Sequence, residues 1–165
     1  TLFRSHSAEQ TGETKMDMTH GILPTTTVHP EMTLGEALQA CVDHSVPGLP
    51  VIDSDGTITQ RFSIRYAFNH TCIPSDLIKG AHLLGHDLDH LEMSDQSALE
   101  TLQRPIKDLL ETCPPPIRST TQILTALALM EELESSYLFV VDEGHYQGVI
   151  THLSLSKSIL EQLKK

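Results

Sequence analysis

The chain has 165 residues, 39% of them apolar and 20% charged, with nine Gly and nine Pro, which suits one compact domain or two small ones and excludes a disordered or collagen-like polymer. Eleven Lys and Arg against 22 Asp and Glu leave a formal charge of −11, too few cations for counterion release to drive nucleic-acid binding. No 18-residue apolar run or signal-like stretch is present, and Cys41, Cys72 and Cys113 without a C-x-x-C pair suit a reducing, cytoplasmic setting better than a disulfide framework.

Residues 1–14 are mostly polar and read as a flexible lead-in. From Thr25 the pattern becomes strand, helix, strand, strand, helix. Residues 25–28 are β-branched and bounded by Pro24 and Pro30, which predicts a short strand. Thr33-Leu-Gly-Glu36 is a capping box, and Leu34, Ala37, Leu38, Cys41 and Val42 recur behind it as one buried helical stripe. Pro47 and Pro50 end that helix. Val51-Ile52 begins a hairpin that turns at Asp55-Gly56 and returns over residues 57–63, and residues 65–70 read as a closing helix.

The middle of the chain is helical in pattern. Leu77, Ala81, Leu84, Leu88 and Leu91 step by four and three residues, as two short helices or one packed helix, interrupted by Gly80 and Gly85 at about 1 kcal/mol each. Ser94 or Asp95 caps a further turn bearing Ala98, Leu99 and Leu102, and Pro105 opens a short helix of Ile106, Leu109 and Leu110. The first pattern then returns. Thr33 recurs 88 residues on as Thr121, inside Ser119-Thr-Thr-Gln122, a second capping pattern before an apolar helix of Leu124, Leu127, Ala128 and Leu133. Gly56 is matched by Gly144 and Ser63 by Thr151, while Leu49-Pro-Val-Ile-Asp53 matches Leu138-Phe-Val-Val-Asp142 at an offset of 89. Two copies of one supersecondary unit are the economical reading.

These units resemble a tandem CBS-domain pair, named for cystathionine β-synthase. The likeness runs over about residues 15–68 and 104–163, and its most specific stretch is 138–151, which ends in Gly148-Val-Ile-Thr151. The resemblance implies an α/β (α+β) architecture of two β-α-β-β-α repeats related by a pseudo-two-fold axis. The expected organisation is the lead-in at 1–14, repeat 1 at 15–70, a helical insertion at 71–103 and repeat 2 at 104–165. It further implies a non-catalytic regulatory module, often a homodimer, that senses an adenine nucleotide or an adenosyl compound (AMP, ADP, ATP or S-adenosylmethionine) in clefts between the copies, with no required cofactor and no membrane insertion.

The family's ligand signature places a Ser or Thr hydroxyl against phosphate or ribose and, three residues later, an Asp against the ribose hydroxyls. By position, the first copy supplies Ser63 and Tyr66 and the second Thr151 and Ser154. Both copies keep the hydroxyl and lack the carboxylate. A carboxylate hydrogen bond contributes about 1.5–3 kcal/mol against about 1 for a neutral one, so the usual ribose clamp is weakened. The ligand-facing positions that the resemblance implies are Val28, Val46, Gly48, Leu49, Pro50, Ser63, Arg65 and Tyr66 around the first copy. Around the second they are Pro116, Arg118, Ser136, Tyr137, Leu138, Phe139, Thr151 and Ser154. Arg65 and Arg61 are either phosphate-facing or solvated, and Tyr66 either stacks on a ring or fills the cleft.

Other chemistry has less support. His82 and His86 sit at i and i+4, a spacing that lets two imidazoles reach one metal ion, but the usual H-E-x-x-H pattern is absent and Gly85 weakens the helix. Cys41 lies in a buried stripe, where thiols are inert. Gly-rich phosphate loops and Gly-x-Ser-x-Gly are missing, so no enzymatic motif is present. The alternative to a sensor is a dimerisation or interaction scaffold whose clefts have decayed, with the 77–91 seam facing the partner. A metal-responsive module built on His82 and His86 is a weaker third.

Overall fold

The computed structural model describes residues 16–72 and 94–164. The predicted lead-in and the 77–91 seam, with His82 and His86, lie outside the described residues. A 3-10 turn at Thr19–Gly21 precedes α1 (Leu34–His44), β1 (Gly48–Ile52), β2 (Ile58–Ser63) and α2 (Ile64–Thr71). After α3 (Asp95–Leu102) come a second 3-10 turn (Ile106–Leu109), β3 (Leu110–Glu111), α4 (Ile123–Glu132), β4 (Tyr137–Asp142), β5 (His145–Thr151) and α5 (His152–Leu163). The mixed helix and strand composition with small antiparallel sheets is the expected class.

α1 starts at the predicted capping box. Thr33 Oγ1 accepts the Glu36 N–H at 3.2 Å and Glu36 Oε2 accepts the Thr33 N–H at 3.1 Å, which satisfies two otherwise orphaned amides. The helix ends at Ser45 (φ 54), and the Val46 N–H closes onto the Cys41 carbonyl. The second copy repeats this ending 89 residues on, with Glu134 (φ 50) and the Ser135 N–H on the Met130 carbonyl. Leu34, Ala37 and Cys41 are buried, but Val42 is 67% exposed. At 100° per residue Val42 lies about 80° from Leu34, at the edge of the stripe and outside the packed face.

The hairpins keep the same register. β1 and β2 pair antiparallel from Gly48↔Ser63, and β4 and β5 from Tyr137↔Thr151. The predicted strand at 25–28 shrinks to one parallel bridge, Val28↔Val51, because the prolines on either side stop it from lengthening. Its equivalent, 89 residues on, is Ile117↔Val140. The lead segments are exchanged between copies. Glu111 and Leu110 of β3, which open the second copy, pair with Arg61 and Phe62 of β2. Leu23, 88 residues before Glu111, bridges Val149 of β5, 88 residues after Arg61. Each copy therefore completes the other's sheet, and the two fold along the same path.

A Cβ on Gly148 (φ 152) would run into the Leu23 backbone, so β5 needs glycine where Leu23 crosses it, while Gln60 holds the matching place in β2 with its side chain exposed.

The second apolar helix is rotated from its prediction. Ser119 does not cap it: its N–H donates to Asp142 Oδ1 at 2.9 Å, and α4 begins after Gln122 without a side-chain cap. Ile123, Ala126 and Met130 form the buried face, Leu124 is 80% exposed, and Ala128 and Leu133 are also exposed. The two faces of β4 then divide by strand alternation. Leu138 and Val140 pack under the second copy's own helices with Ile150 and Leu155, whereas Tyr137 and Phe139 join Leu49, Phe62 and Leu109 in the first copy's core.

Candidate functional site

The interface between the copies leaves a cleft of about 640 Å³. Its first wall is Pro47, the end of β2 at Arg61 and Ser63, and the first turns of α2 with Ile64, Arg65, Tyr66 and Asn69. Glu111 of β3 closes the floor. The second wall is the end of α4 with Met130 and Glu131, the left-handed Glu134 just beyond it, then Ser135, Ser136 and Tyr137 entering β4, and His152 opening α5. The left-handed helix endings at Ser45 and Glu134 are what turn the chain from helix into strand at this cleft.

Arg61 organises the floor. Its Nε lies 2.6 Å from Glu111 Oε1, its Nη1 donates to Ser135 Oγ at 3.2 Å, and its guanidinium carbon sits 5.1 Å from the centroid of the Tyr137 ring. Ser135 Oγ in turn donates to the Tyr137 carbonyl at 2.6 Å. Tyr137 reaches this place because its partner by repeat symmetry is Gly48: a Cβ there would collide with the phenol ring. The Tyr137 ring is 3% exposed and its hydroxyl has no hydrogen-bond partner among the described residues. Burial pushes the pKa of the phenol up, opposed by Arg61 and by the nearby Ser63 hydroxyl, so the phenol stays protonated and able to donate. Cys113, close by, is pushed up to about 11 by burial against the pull of Arg61, which leaves it a neutral thiol.

The expected site residues divide. Ser63, Arg65, Tyr66, Ser136 and Tyr137 line the cleft together. Tyr66 stacks on His70 at 4.0 Å, so one face of its ring is already covered. Val28, Val46, Gly48, Leu49, Pro50, Leu138 and Phe139 do not line it, because strand pairing and the core absorb them. The Pro50 and Phe139 carbonyls accept the Val28 and Ile117 amides, both at 3.0 Å. Pro116 and Arg118 are exposed away from the cleft, with Arg118 near Asp142, where the Ser119 hydrogen bonds first and Arg118 last hold the carboxyl below its ordinary range.

Thr151 and Ser154 are occupied by each other. Thr151 Oγ1 accepts the Ser154 N–H at 3.0 Å, and Ser154 Oγ accepts the Thr151 N–H at 2.9 Å and donates to the Thr151 carbonyl at 3.1 Å. This reciprocal cap starts α5 and leaves Ser154 5% exposed. Ser135, Glu111, Glu131, Glu134 and His152 are among the lining residues that sequence reasoning missed, with Ile64, Asn69 and Met130. The offset of 89 that carries Val46 onto Ser135 was the available signal for one of them. Among the described residues no cluster of three His, Cys, Asp or Glu forms a metal site, and no helix is long and apolar enough to cross a membrane.

Comparison with known proteins agrees with this architecture. The model of the CBS domain matches residues 16–62 and 106–161. The CBS-pair protein CBSX2 of Arabidopsis thaliana is similar at 22% identity and a TM-score of 0.63, over 92% of this chain and 99% of that one. A crystal structure of CBSX2 in complex with AMP is similar at 23% identity and a TM-score of 0.60, over 90% and 99% of the two chains. A CBS-domain protein of unknown function from Kribbella flavida has 18% identity and a TM-score of 0.62, over 88% and 99%. No individually curated protein sequence is similar enough to count as a match. With both copies matched, the same path traced twice and the leading segments exchanged, the chain belongs to the CBS-domain family, as a tandem pair.

Proposed function

We propose that this CBS pair is a regulatory sensor without chemistry of its own, and that its inter-repeat cleft binds an adenine nucleotide or a related adenosyl compound. The observation that carries the reading is the cleft itself: Ser63 of one copy and Ser135, Ser136 and Tyr137 of the other line it together, and the buried Tyr137 phenol, beside the Ser63 hydroxyl, makes no hydrogen bond of good geometry among the described residues. A buried donor without a partner costs about 1–3 kcal/mol, which a ligand acceptor recovers. The AMP complex of the similar protein CBSX2 supports the ligand class. The absent ribose carboxylate is offset by no residue of the second copy, since Ser154 is used in its own cap, so the binding we propose centres on Tyr137, Ser63 and Arg65. We further propose a cytoplasmic homodimer.

Thermal unfolding with AMP, ADP, ATP and S-adenosylmethionine tests the reading. A ligand at 100 times its dissociation constant stabilises by about 2.7 kcal/mol, a rise of roughly 5–10 °C for a chain of this size. Tyr137→Phe keeps the ring and removes the donor, and it is expected to abolish most of that rise. No rise with any of the four compounds sinks the sensor reading. The scaffold reading then takes its place, favoured by Leu153, Leu160 and Leu163 of α5, which are 82%, 61% and 67% exposed.

A further inference from the structure

We propose that the cleft selects an adenosyl ligand carrying no more than one phosphate, and that Glu111, Glu131 and Glu134 set this preference by cancelling its cationic groups. The proposal rests on the nucleotide-binding reading and narrows its ligand class.

Among the described residues, Arg61 is the cation on the cleft floor. Its Nε lies 2.6 Å from Glu111 Oε1, a close ion pair without hydrogen-bond alignment, and the pairing of β2 with β3 sets Glu111 directly opposite Arg61. Its Nη1 is donated to Ser135 and its face lies over Tyr137. A phosphate seeking this guanidinium must compete with a carboxylate already paired to it. The remaining Arg on the wall is Arg65, exposed on α2, and the opposite wall presents the exposed Glu131 at the end of α4 and Glu134 just beyond it. Two Arg therefore meet three Glu among the described residues of the cleft.

A triphosphate brings two more negative charges than a monophosphate into this net acidic mouth, and each is repelled through a wall that excludes part of the solvent. What the floor offers is neutral hydrogen bonding from the buried Tyr137 hydroxyl and the Ser63 hydroxyl beside it, since Ser135 is already committed to Arg61 and the Tyr137 carbonyl. Those groups match ribose hydroxyls and ring nitrogens, and they give polyphosphate no compensation for the repulsion.

Isothermal titration with adenosine, AMP and ATP, at low ionic strength and without divalent metal, tests this on the whole chain and on two variants. The wild-type protein is expected to bind AMP at least tenfold more tightly than ATP. In Glu131→Gln with Glu134→Gln, both exposed, ATP is expected to gain about tenfold on AMP, because two carboxylates at the mouth facing two extra phosphate charges are gone. Glu111→Gln releases Arg61 and is expected to tighten AMP relative to adenosine; should that variant not fold, the exposed pair alone decides. If ATP binds the wild-type protein as tightly as AMP, or if the exposed pair leaves the ratio unchanged, the proposal is overturned while the nucleotide reading stands. If none of the three compounds binds any of the proteins, the nucleotide reading falls and takes the proposal with it.

Discussion

Gly148→Ala tests the exchange of lead segments between the copies. Gly148 and Gly144 both have positive φ, 152 and 77, but their surroundings differ. A Cβ at 144 meets nothing within 4 Å, so Gly144→Ala carries only the left-handed backbone penalty of about 1–2 kcal/mol. A Cβ at 148 strikes the Leu23 backbone, which is tied to Val149 by a 2.8 Å bond from the Leu23 amide and a 2.9 Å bond back from the Val149 amide. Moving Leu23 aside loses two bonds worth about 1 kcal/mol each, and the backbone strain adds about 1–3 more. The expected loss is about 3–5 kcal/mol, or roughly 10 °C in Tm. Urea unfolding of both variants, with hydrogen exchange at the Leu23 and Val149 amides, measures it. If Gly148→Ala and Gly144→Ala differ by less than about 0.5 kcal/mol, Leu23 does not cross β5 at this point and the exchange is misassigned.

Three further outcomes follow from the same structure. Ser154→Ala breaks the reciprocal cap of α5 and is expected to cost about 1 kcal/mol in denaturant unfolding while leaving adenosyl affinity unchanged; a large affinity loss would return Ser154 to the ligand site. Burial pushes the Cys41 thiol and the Tyr146 phenol up to about 12 each, so both stay protonated in the folded chain after they ionise in the unfolded one. The unfolded state then holds fewer protons, and stability that is complete below about pH 9 falls as pH rises through 9 to 12, by up to about 1.4 kcal/mol per pH unit for Cys41 alone. Cys41→Ala is expected to flatten that slope, and a slope unchanged by the substitution contradicts it. Ten His on a chain of charge −11 bring it toward neutrality as pH drops, so light scattering is expected to rise near the pI of about 5.2, and flat scattering from pH 5 to 6 refutes this.

Local chemistry was legible in the sequence where it acts within a few residues. The Thr33–Glu36 box, the Pro47 stop and the Asp55-Gly56 and Gly144 turns each write their geometry into adjacent side chains, and the offset of 88 to 89 exposed the duplication. The buried face of α4 was not legible, because Leu124 and Ile123 are equally apolar and only packing against β4 decides which of them turns inward. Ser119 looked like a cap until the Asp142 carboxylate, 23 residues away, took its amide. The site suffered the same limit. Ser63, Arg65, Tyr66, Ser136 and Tyr137 follow from position within the repeat, whereas Glu111 reaches Arg61 only through β3 pairing across the copies. Thr151 and Ser154 carry side chains suited to a ligand, yet a hydroxyl three residues from another at a helix start finds its nearest partner in the cap.

The most direct measurement of the central claim is amide hydrogen exchange of the whole chain with and without saturating AMP. Protection confined to residues 61–66 and 130–137, from both copies at once, is the predicted footprint. Protection instead around Met16, residues 122–124 and Ile159, which line a separate apolar hollow, or spread evenly over the chain, would contradict a ligand seated between the repeats.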